Sequence, residues 1–452
     1  MEDTEPFVVI GGDAAGMSAA SKSKREEPER EVIVFEKGDW VSYAACGMPY
    51  YIKGEVESLD DLVSITPEEF REERDIDLRM RHEVVEIRPD ESEVVVDDRD
   101  TGETFEQGYG DLLIATGATA VEPPIDGVEL DGVFTLHSMD DADEIDDYVS
   151  REDVESFGIV GGGYVGMEMS EALRSRGVDV HVFEALPHVL QPFGEDAAEV
   201  VEDHVREKGV DLHLETSVEG ITGDDGVRGI ETGEETYDLD GVIVGVGVAP
   251  NVGIADEAGI EIGETGAIAT DDYGRSNYED IYAAGDCAEA TNSVTREPDH
   301  VPLALTANRH GRAVGQTVSG SPTEVGEIVG TAVVKVFDLE VARTGIVDHK
   351  VAEEAGFDPV SRTITAESRA GYYPGAKPIQ VRLTADSETE RLLGATMVSE
   401  DTAAKRIDTV ATALHAGMTV DDLENLDLSY APPFSPVWDA TLTAAKVLRS
   451  TL

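Results

Sequence analysis

Short apolar runs that end in glycine-rich turns recur along the chain and predict a repeated strand–turn–helix–strand unit. The first unit runs from Phe7 to Ile10 into GGDAAGMSAASKSKR and then into VIVFE at 32–36. The second runs from Phe157 to Val160 into GGGYVGMEMSEALRSRG and then into VDVHVFE at 178–184. A glycine turn between a buried strand and a helix is typical of the opening of a dinucleotide-binding fold. Two such units therefore predict two nucleotides bound by one chain.

Further strand-like segments place the two units in a larger organisation. Apolar runs end in tight turns at 112–118 (LLIATGA), 242–248 (VIVGVGV) and 281–287 (IYAAGDC). From about residue 325 the pattern changes to alternating strands, followed by helices from Ala403 onward. We therefore predict an α/β fold with two Rossmann-like domains and a C-terminal α+β domain. The predicted boundaries are 1–118 with 249–324 for the first domain, 119–248 for the second and 325–452 for the third.

The charge of the chain restricts its partners. It has 96 acidic and 34 basic residues, a formal net charge of −62, and 40% of its residues are hydrophobic. Such a surface repels phosphates at long range, so nucleic acid and anionic membranes are not expected partners. Concentrated salt screens this self-repulsion, because the Debye length is ~3 Å at 1 M. The composition favours a protein of a salt-accumulating organism, and an acidic protein of an ordinary mesophile is the alternative.

Cysteine usage indicates the compartment. The chain has 2 cysteines, Cys46 and Cys287, which excludes a disulfide framework and fits a reducing environment. The N-terminus leads directly into a strand without a basic and apolar leader, and no run of about 20 apolar residues occurs. We therefore expect a soluble cytoplasmic protein. No metal site is predicted.

The glycine turns carry the nucleotide chemistry. Glycine lets backbone N–H groups approach a pyrophosphate at a helix N-terminus, and an acidic residue at the next strand end can bind a ribose hydroxyl. In the first unit Glu36 has that place, while Asp13 fills the middle glycine position and is expected to face away from the phosphates. In the second unit Glu184 favours NADH over NADPH. His188 is the one nearby residue that we consider for a 2′-phosphate.

The two units, the ATG turn at 115–117 and the AAGDC turn at 283–287 together resemble the pyridine nucleotide-disulfide oxidoreductases over essentially the whole chain. The resemblance implies FAD in the first unit, with Asp286 on the ribityl chain, and NAD(P)H in the second. It also implies that Tyr164 moves aside for the nicotinamide and that 325–452 is a dimerisation domain. The implied FAD residues are Gly11, Gly12, Ala15, Gly16, Glu36, Lys37, Ala115, Thr116, Gly117, Gly285, Asp286, Leu303 and Ala304. The implied NAD(P)H residues are Gly161, Gly163, Tyr164, Val165, Gly166, Glu184 and Gly247.

Cys46 is the candidate redox thiol. Dithiol members of this family have a second cysteine five residues later, where this chain has Tyr51. Cys46 follows a loop and is expected at the start of a helix, with Pro49 in the first turn. The positive end of that helix is expected to lower the pKa of the thiol. Without a second thiol, oxidised Cys46 is a sulfenic acid, a persulfide or a mixed disulfide with an outside thiol.

The stretch SYAACGMPYY at 42–51 resembles the single-cysteine branch, which contains coenzyme A-disulfide reductases, NADH oxidases and related sulfur reductases. The tail SYAPPFSPVWD at 429–439 resembles the coenzyme A-disulfide reductases. This resemblance implies that Tyr430 and Tyr372 of a partner subunit act as acids. It implies a coenzyme A channel formed by Ser18, Lys22, Arg25, Ser42, Arg74 and Asn308.

The sequence therefore predicts a homodimeric FAD enzyme that reduces coenzyme A disulfide with NAD(P)H through a Cys46–S–S–CoA mixed disulfide. One alternative applies the same machinery to a polysulfide or coenzyme A persulfide, or to oxygen through a Cys46 sulfenic acid. Alternatives of another class are a flavoprotein electron carrier and a redox sensor, both without disulfide chemistry.

Overall fold

The predicted unit at the N-terminus forms in the structure, a computed structural model that describes residues 5–233 and 235–452. The elements before residue 118 are β1 (Phe7–Ile10), α1 (Ala14–Glu26), β2 (Val32–Glu36), α2 (Met48–Lys53), α3 (Pro67–Glu72), β3 (Asp77–Met80), β4 (His82–Arg88), β5 (Glu93–Asp98), β6 (Glu103–Gly108) and β7 (Asp111–Ile114). β1 pairs in parallel with β2 and with β7, so all of its apolar residues are buried. β4, β5 and β6 form a separate antiparallel sheet.

The second predicted unit builds a second parallel sheet. Its elements are β8 (Ala118–Ala120), β9 (Val133–Phe134), α4 (Met139–Val149), β10 (Ser156–Val160), α5 (Tyr164–Ser175), β11 (Asp179–Phe183), α6 (Glu195–Glu207), β12 (Asp211–His213), β13 (Val218–Gly223), β14 (Val227–Thr232), β15 (Thr236–Asp238), β16 (Gly241–Val244) and β17 (Val248–Pro250). The strand order is β12-β11-β10-β16-β9, and β13, β14 and β15 form an antiparallel sheet beside it. Short 3-10 turns occur at Ala45–Gly47, Leu59–Leu62, Pro89–Glu91 and Gln191–Phe193.

The chain then returns to the first sheet. The returning elements are α7 (Gly253–Glu257), β18 (Ile281–Ala283), β19 (Ala290–Thr291), β20 (Pro298–Asp299) and α8 (Ala304–Thr317). β18 pairs with β7, which gives the order β18-β7-β1-β2-β3. β8 and β17 pair where the chain leaves and re-enters, and the Asn251 amide donates to the carbonyls of Thr116 and Ala118 there. The first sheet is thus assembled from two separate segments, while the predicted domain boundaries stay a prediction.

The C-terminal segment forms an antiparallel sheet covered on both faces. Its elements are β21 (Ala332–Val336), β22 (Leu339–Gly345), α9 (His349–Glu354), β23 (Pro359–Glu367), β24 (Pro378–Asp386), β25 (Leu392–Ser399), α10 (Ala403–His415), α11 (Val420–Glu424) and α12 (Ala440–Arg449). The strand order is β21-β22-β25-β24-β23, and all residues of β25 are buried. Helices α10 and α12 pack on one face, and the apolar side chains of α6 share a core with the other. In the described residues, no helix has the length and apolar character needed to cross a bilayer.

The two glycine turns have the same geometry for the same reason. Gly11 and Gly161 both have φ of 106°, a conformation that side chains other than glycine rarely adopt. A Cβ on Gly11 would lie 2.2 Å from the Ala115 oxygen, and one on Gly161 would lie 2.5 Å from the Gly245 oxygen. Glycine is therefore required in both turns. Because glycine has no side chain, the backbone N–H groups at the start of each helix stay accessible to a ligand.

Candidate active site

A cavity of about 1770 Å³ connects both glycine turns with Cys46. Its lining comes from both parallel-sheet domains and from β21 and β22 of the C-terminal sheet. Such a volume accommodates more than one extended ligand, because pockets for single small molecules are ~300–1,000 Å³.

The wall at the first glycine turn fits FAD. The Glu36 carboxylate accepts hydrogen bonds from the N–H groups of Gly12 and Gly38, both at 2.7 Å, so it is held at the strand end that faces the cavity. Oδ1 of Asp13 is buried without a protein partner, and burial raises the pKa of this carboxyl to about 6. Our expectation that Asp13 faces away was wrong, since Asp13 lines the cavity. The raised pKa means that Asp13 takes up a proton more readily than an ordinary carboxyl, which lowers the cost of placing it beside phosphates.

Most of the predicted FAD residues line the cavity. Asp286 lies on this wall, burial raises its pKa, and His300 Nε2 lies 2.8 Å from its carbonyl oxygen. Ala15, Gly16, Gly285 and Ala304 do not line the cavity. A Cβ on Gly16 would lie 2.0 Å from the Gly11 oxygen, so Gly16 allows α1 to pack closely on β1. The predicted residues that line the cavity are Gly11, Gly12, Glu36, Lys37, Ala115, Thr116, Gly117, Asp286 and Leu303.

The second glycine turn forms the opposite wall. Glu184 accepts hydrogen bonds from the N–H groups of Gly162 at 2.7 Å and Leu186 at 2.8 Å. His188, considered for a 2′-phosphate, is bound by its Nδ1 to Glu202 at 3.0 Å and faces Glu195 with Nε2. The predicted residues that line this wall are Gly161, Gly163, Tyr164, Val165, Glu184 and Gly247, while Gly166 packs beneath it.

Cys46 lies between the two walls. It is in the 3-10 turn Ala45–Gly47, directly before α2, and Pro49 occupies the first turn of that helix, which confirms the predicted placement. The thiol is exposed and lines the cavity. Cys287 is fully buried, and its Sγ donates to the backbone carbonyls of Ile114 and Ala284. In the described part of the chain, Cys46 therefore faces the cavity without a second thiol.

The predicted direction of the Cys46 pKa was wrong. Although Cys46 is accessible from the cavity, the protein atoms that surround it displace water, and this partial burial raises the pKa of the thiol. The charges of Glu168 and Asp286 raise it further. Helix α2 has only 6 residues, so its dipole is too small to offset these effects. The thiol therefore needs an additional positive charge or hydrogen-bond donor to become a reactive thiolate at neutral pH.

Glu168 also lines the cavity and was not among the predicted site residues. It follows Tyr164 by one turn of α5, so the helical period carries both to the same face. Burial, followed by the charge of Glu171, raises the pKa of Glu168 to about 7. The i, i+4 spacing from Tyr164 could have indicated that Glu168 faces the cavity. The burial of its acidic side chain cannot be predicted from that spacing.

Replacing Glu168 by Gln is expected to lower the pKa of the Cys46 thiol, because a negative neighbour disfavours a second anion. Below about pH 7 Glu168 is largely protonated, so parent and Glu168→Gln should differ little there and increasingly above it. The measurement is the rate of Cys46 alkylation by iodoacetamide against pH. Glu340→Gln removes another cavity carboxylate and is the matched control. Equal profiles for the parent and Glu168→Gln would contradict the assignment.

The predicted coenzyme A residues lie on a surface outside the cavity lining. Ser18 on α1 donates to the Asn308 amide oxygen on α8 at 2.7 Å, so the two helices meet there. Arg74 donates to Ser21 at 2.8 Å. We call Ser18, Lys22, Arg25, Asn308 and Arg312 the α1–α8 stripe.

The α1–α8 stripe is cationic around one carboxylate. Lys22 binds Glu26, and the charges of Arg25 and Arg312 also lower the pKa of that carboxyl. In the described residues neither arginine forms an ion pair within 4 Å. Ser42, with φ of 50°, lies in the segment between β2 and Cys46. Its N–H donates to the Gly12 carbonyl oxygen at 3.0 Å, which holds this segment against the first glycine turn.

The two predicted tyrosines are not at the cavity of their own protomer. Tyr372 and Tyr430 are 78% and 48% exposed and are hydrogen-bonded to each other, which raises the pKa of Tyr372. Phe434, Val437 and Trp438 beside them are also strongly exposed. Exposed apolar clusters of this kind are typical of protein interfaces.

Two dinucleotide-binding walls that face one cavity, with a solitary thiol between them, define an oxidoreductase with two nucleotide cofactors. The sequence profile of the pyridine nucleotide-disulphide oxidoreductases matches residues 5–311, and that of their dimerisation domain matches 331–441. The chain therefore belongs to this family, and its cofactors are FAD and NAD(P)H.

Characterised relatives extend along nearly the whole chain. An NAD(P)H coenzyme A polysulfide/persulfide reductase of Pyrococcus horikoshii is 40% identical over 443 residues, 98% of each chain. A coenzyme A disulfide reductase of Staphylococcus haemolyticus is 31% identical over 431 residues, 95% of this chain and 96% of that one. The solved structure of an NAD-dependent persulfide reductase from A. fulgidus has a TM-score of 0.95 and 39% identity, and covers 99% of this chain and 83% of that one.

Proposed function

We propose that the enzyme reduces coenzyme A disulfide to two coenzyme A thiols with NAD(P)H through a Cys46–S–S–CoA mixed disulfide. The observation that carries this proposal is the placement of Cys46 in a cavity between both dinucleotide walls, with Cys287 buried elsewhere. A catalytic thiol without an internal partner takes its second sulfur from solution. An electron carrier or redox sensor would not need an exposed thiol at this position.

The reaction balances around Cys46. Its thiolate attacks one sulfur of coenzyme A disulfide, so the Cys46–S–S–CoA bond forms and one coenzyme A thiolate leaves and takes up a proton. FAD, when bound, supplies the two-electron relay from NAD(P)H. The incoming electron pair breaks the mixed disulfide, releases the second coenzyme A as a thiol and restores the Cys46 thiolate. Overall, NAD(P)H and one proton are consumed for two thiols.

FAD would be held by the Gly11 turn, the Glu36 carboxylate and Asp286, and NAD(P)H by the Gly161 turn and Glu184. The chain segments that supply these walls support the domain boundaries 1–118 with 249–324, 119–248 and 325–452. The reducing chemistry and the free thiols support a cytoplasmic location.

The α1–α8 stripe is the proposed anchor for the phosphates of coenzyme A. Arginine is well suited to this role because its guanidinium binds phosphate through paired N–H donors. Arg25 keeps its charge unpaired by carboxylates among the described residues, in a chain with 96 acidic residues. Arg74, which donates a hydrogen bond to Ser21 of α1, adds a further cation beside that helix. The pantetheine arm would then reach from the stripe to Cys46.

A coenzyme A persulfide or polysulfide is the second candidate substrate. The observation that favours it is the 40% identity to a relative named as a polysulfide/persulfide reductase, against 31% for the disulfide reductase. The same thiolate attack would then release hydrosulfide.

The test of the function is the intact mass of the purified protein, measured under denaturing conditions without a reductant. We expect the mass of one added coenzyme A, lost on reduction and located by peptide mapping at Cys46. An added oxygen would indicate a sulfenic acid, and an added sulfur a persulfide. Steady-state rates with coenzyme A disulfide and with coenzyme A persulfide then decide between the two candidates. Failure to turn over either one would contradict the proposal.

The enzyme would act as a homodimer in which Tyr372 and Tyr430 serve the partner's Cys46. Three observations support this arrangement: the match to a dimerisation domain, the exposure of both phenols, and the apolar cluster around Trp438. Two hydrogen-bonded phenols can pass one proton to a leaving thiolate.

Replacing Tyr430 or Tyr372 by Phe is expected to lower kcat for coenzyme A disulfide by roughly 10²-fold, the lower range for a lost general acid. The enzyme should remain dimeric by light scattering and keep its FAD. Tyr373→Phe is the control, because this neighbouring phenol is less exposed, at 37%. An unchanged kcat in both variants would show that the phenols pack without donating a proton.

A further inference from the structure

Tyr164 is held from two sides at the entrance to α5. Its ring packs against Phe193, with ring centroids 5.4 Å apart. Its hydroxyl accepts a hydrogen bond from Nε of Arg343 at 3.3 Å. The Arg343 guanidinium also lies 6.0 Å from the centre of the Phe193 ring. The ring and the hydroxyl of Tyr164 therefore both have a fixed partner.

Both partners of Tyr164 are positioned by the dimerisation domain. Arg343 is on β22 of that domain. Phe193 is fully buried, and its carbonyl accepts a hydrogen bond from Thr396 of β25 at 2.8 Å. Arg382 of β24 lies 3.5 Å from Asp196 in the first turn of α6, which anchors the helix that follows Phe193 to the same sheet.

The side chain of Arg343 is directed at a neutral group rather than at a carboxylate. Among the described residues it forms no ion pair within 4 Å, and Tyr164 is its hydrogen-bond acceptor. On the neighbouring strand, Lys335 is bound to Glu171, a carboxylate that also accepts from Lys53 at 2.7 Å and from the Phe337 N–H at 2.7 Å. The guanidinium of Arg343, beside the wall at the second glycine turn, is thus directed at the phenol of Tyr164.

We infer that Arg343 is a latch: its hydrogen bond holds Tyr164 in the closed position, so the dimerisation domain controls how readily the nicotinamide site opens. This inference rests on the role at that site that the family resemblance implies for Tyr164. Opening requires Tyr164 to leave Phe193 and to break its hydrogen bond to Arg343. Arg343 is a positioning residue, because it acts through Tyr164. With this hydrogen bond the closed state is more populated than it would be with Tyr164 alone. NADH therefore reduces the enzyme more slowly.

The test is flavin reduction by NADH, followed anaerobically in a stopped-flow instrument without any disulfide present. Arg343→Met and Tyr164→Phe each remove the hydrogen bond while keeping most of the side chain. Each should raise the limiting reduction rate about fivefold, which corresponds to ~1 kcal/mol for one net hydrogen bond. The double variant should be no faster than either single variant, because both remove the same interaction.

The controls separate a latch from a general packing role. Arg362→Met removes an exposed arginine of the same sheet, whose guanidinium binds only the Ser361 carbonyl among the described residues, and should leave the rate unchanged. Slower reduction in Arg343→Met, or multiplied effects in the double variant, would overturn the latch. If Arg343→Met does not fold, Tyr164→Phe alone decides, since it must be faster. Flavin reduction requires neither Cys46 nor a disulfide, so a wrong assignment of the oxidant would leave this result intact.

Discussion

Replacing Cys46 by Ser should lower the turnover of coenzyme A disulfide by roughly 10³-fold or more, while flavin reduction by NADH stays close to the parent rate. The first effect follows from the loss of the only thiol that lines the cavity in the described residues, since no other residue there can form the mixed disulfide. The second follows because hydride delivery to the flavin does not involve this sulfur. Both are measured on the same preparation, by steady-state assay and by anaerobic stopped flow.

Cys287→Ser is the matched control. It removes the other cysteine, which is fully buried and donates to the backbone carbonyls of Ile114 and Ala284, so turnover should be retained. The coenzyme A adduct should be absent from Cys46→Ser and present in Cys287→Ser. Residual turnover in Cys46→Ser within about tenfold of the parent would mean that the disulfide is reduced without a covalent intermediate.

The features that could be predicted from sequence are those that backbone geometry imposes locally. Gly11 and Gly161 have positive φ, and a carbonyl oxygen lies where a Cβ would be. Because no other residue is tolerated at these positions, the glycine motif can be recognised in the sequence. The position of Cys46 at a helix start could also be predicted, because proline is tolerated in the first turn of a helix. The reading of the family from these motifs is confirmed.

The features that could not be predicted depend on charges and contacts brought together by the fold. The pKa of Cys46 moves opposite to expectation because the fold buries the thiol and also brings the charges of Glu168 and Asp286, from distant segments, close to it. Arg343 reaches Tyr164 across a domain interface, and strand alternation in β22 gives no indication of that partner. The roles of Tyr372 and Tyr430 depend on a second subunit and stay predictions.

The preference of the enzyme for NADH should be at least about 10²-fold over NADPH, and Glu184 should cause it. Its carboxylate is fixed by the N–H groups of Gly162 and Leu186 directly after β11, the position at which an acidic residue of a dinucleotide-binding fold binds the ribose hydroxyls. A 2′-phosphate there would meet a like charge, which costs several kcal/mol. His188 cannot compensate, because it is bound to Glu202 and faces Glu195.

The double variant Glu184→Ser/Ala185→Arg should reverse this preference, because it removes the repelling carboxylate and adds a guanidinium that pairs with phosphate. The measurement is kcat/KM for both nucleotides with coenzyme A disulfide as oxidant. Glu184→Gln is the matched control, because it keeps the shape of the side chain and removes its charge. It should gain NADPH activity and lose less NADH activity than the double variant does. If Glu184→Gln and the parent discriminate equally, the charge of Glu184 does not select the nucleotide, and the shape of the adjoining Leu186–Pro192 loop must do so.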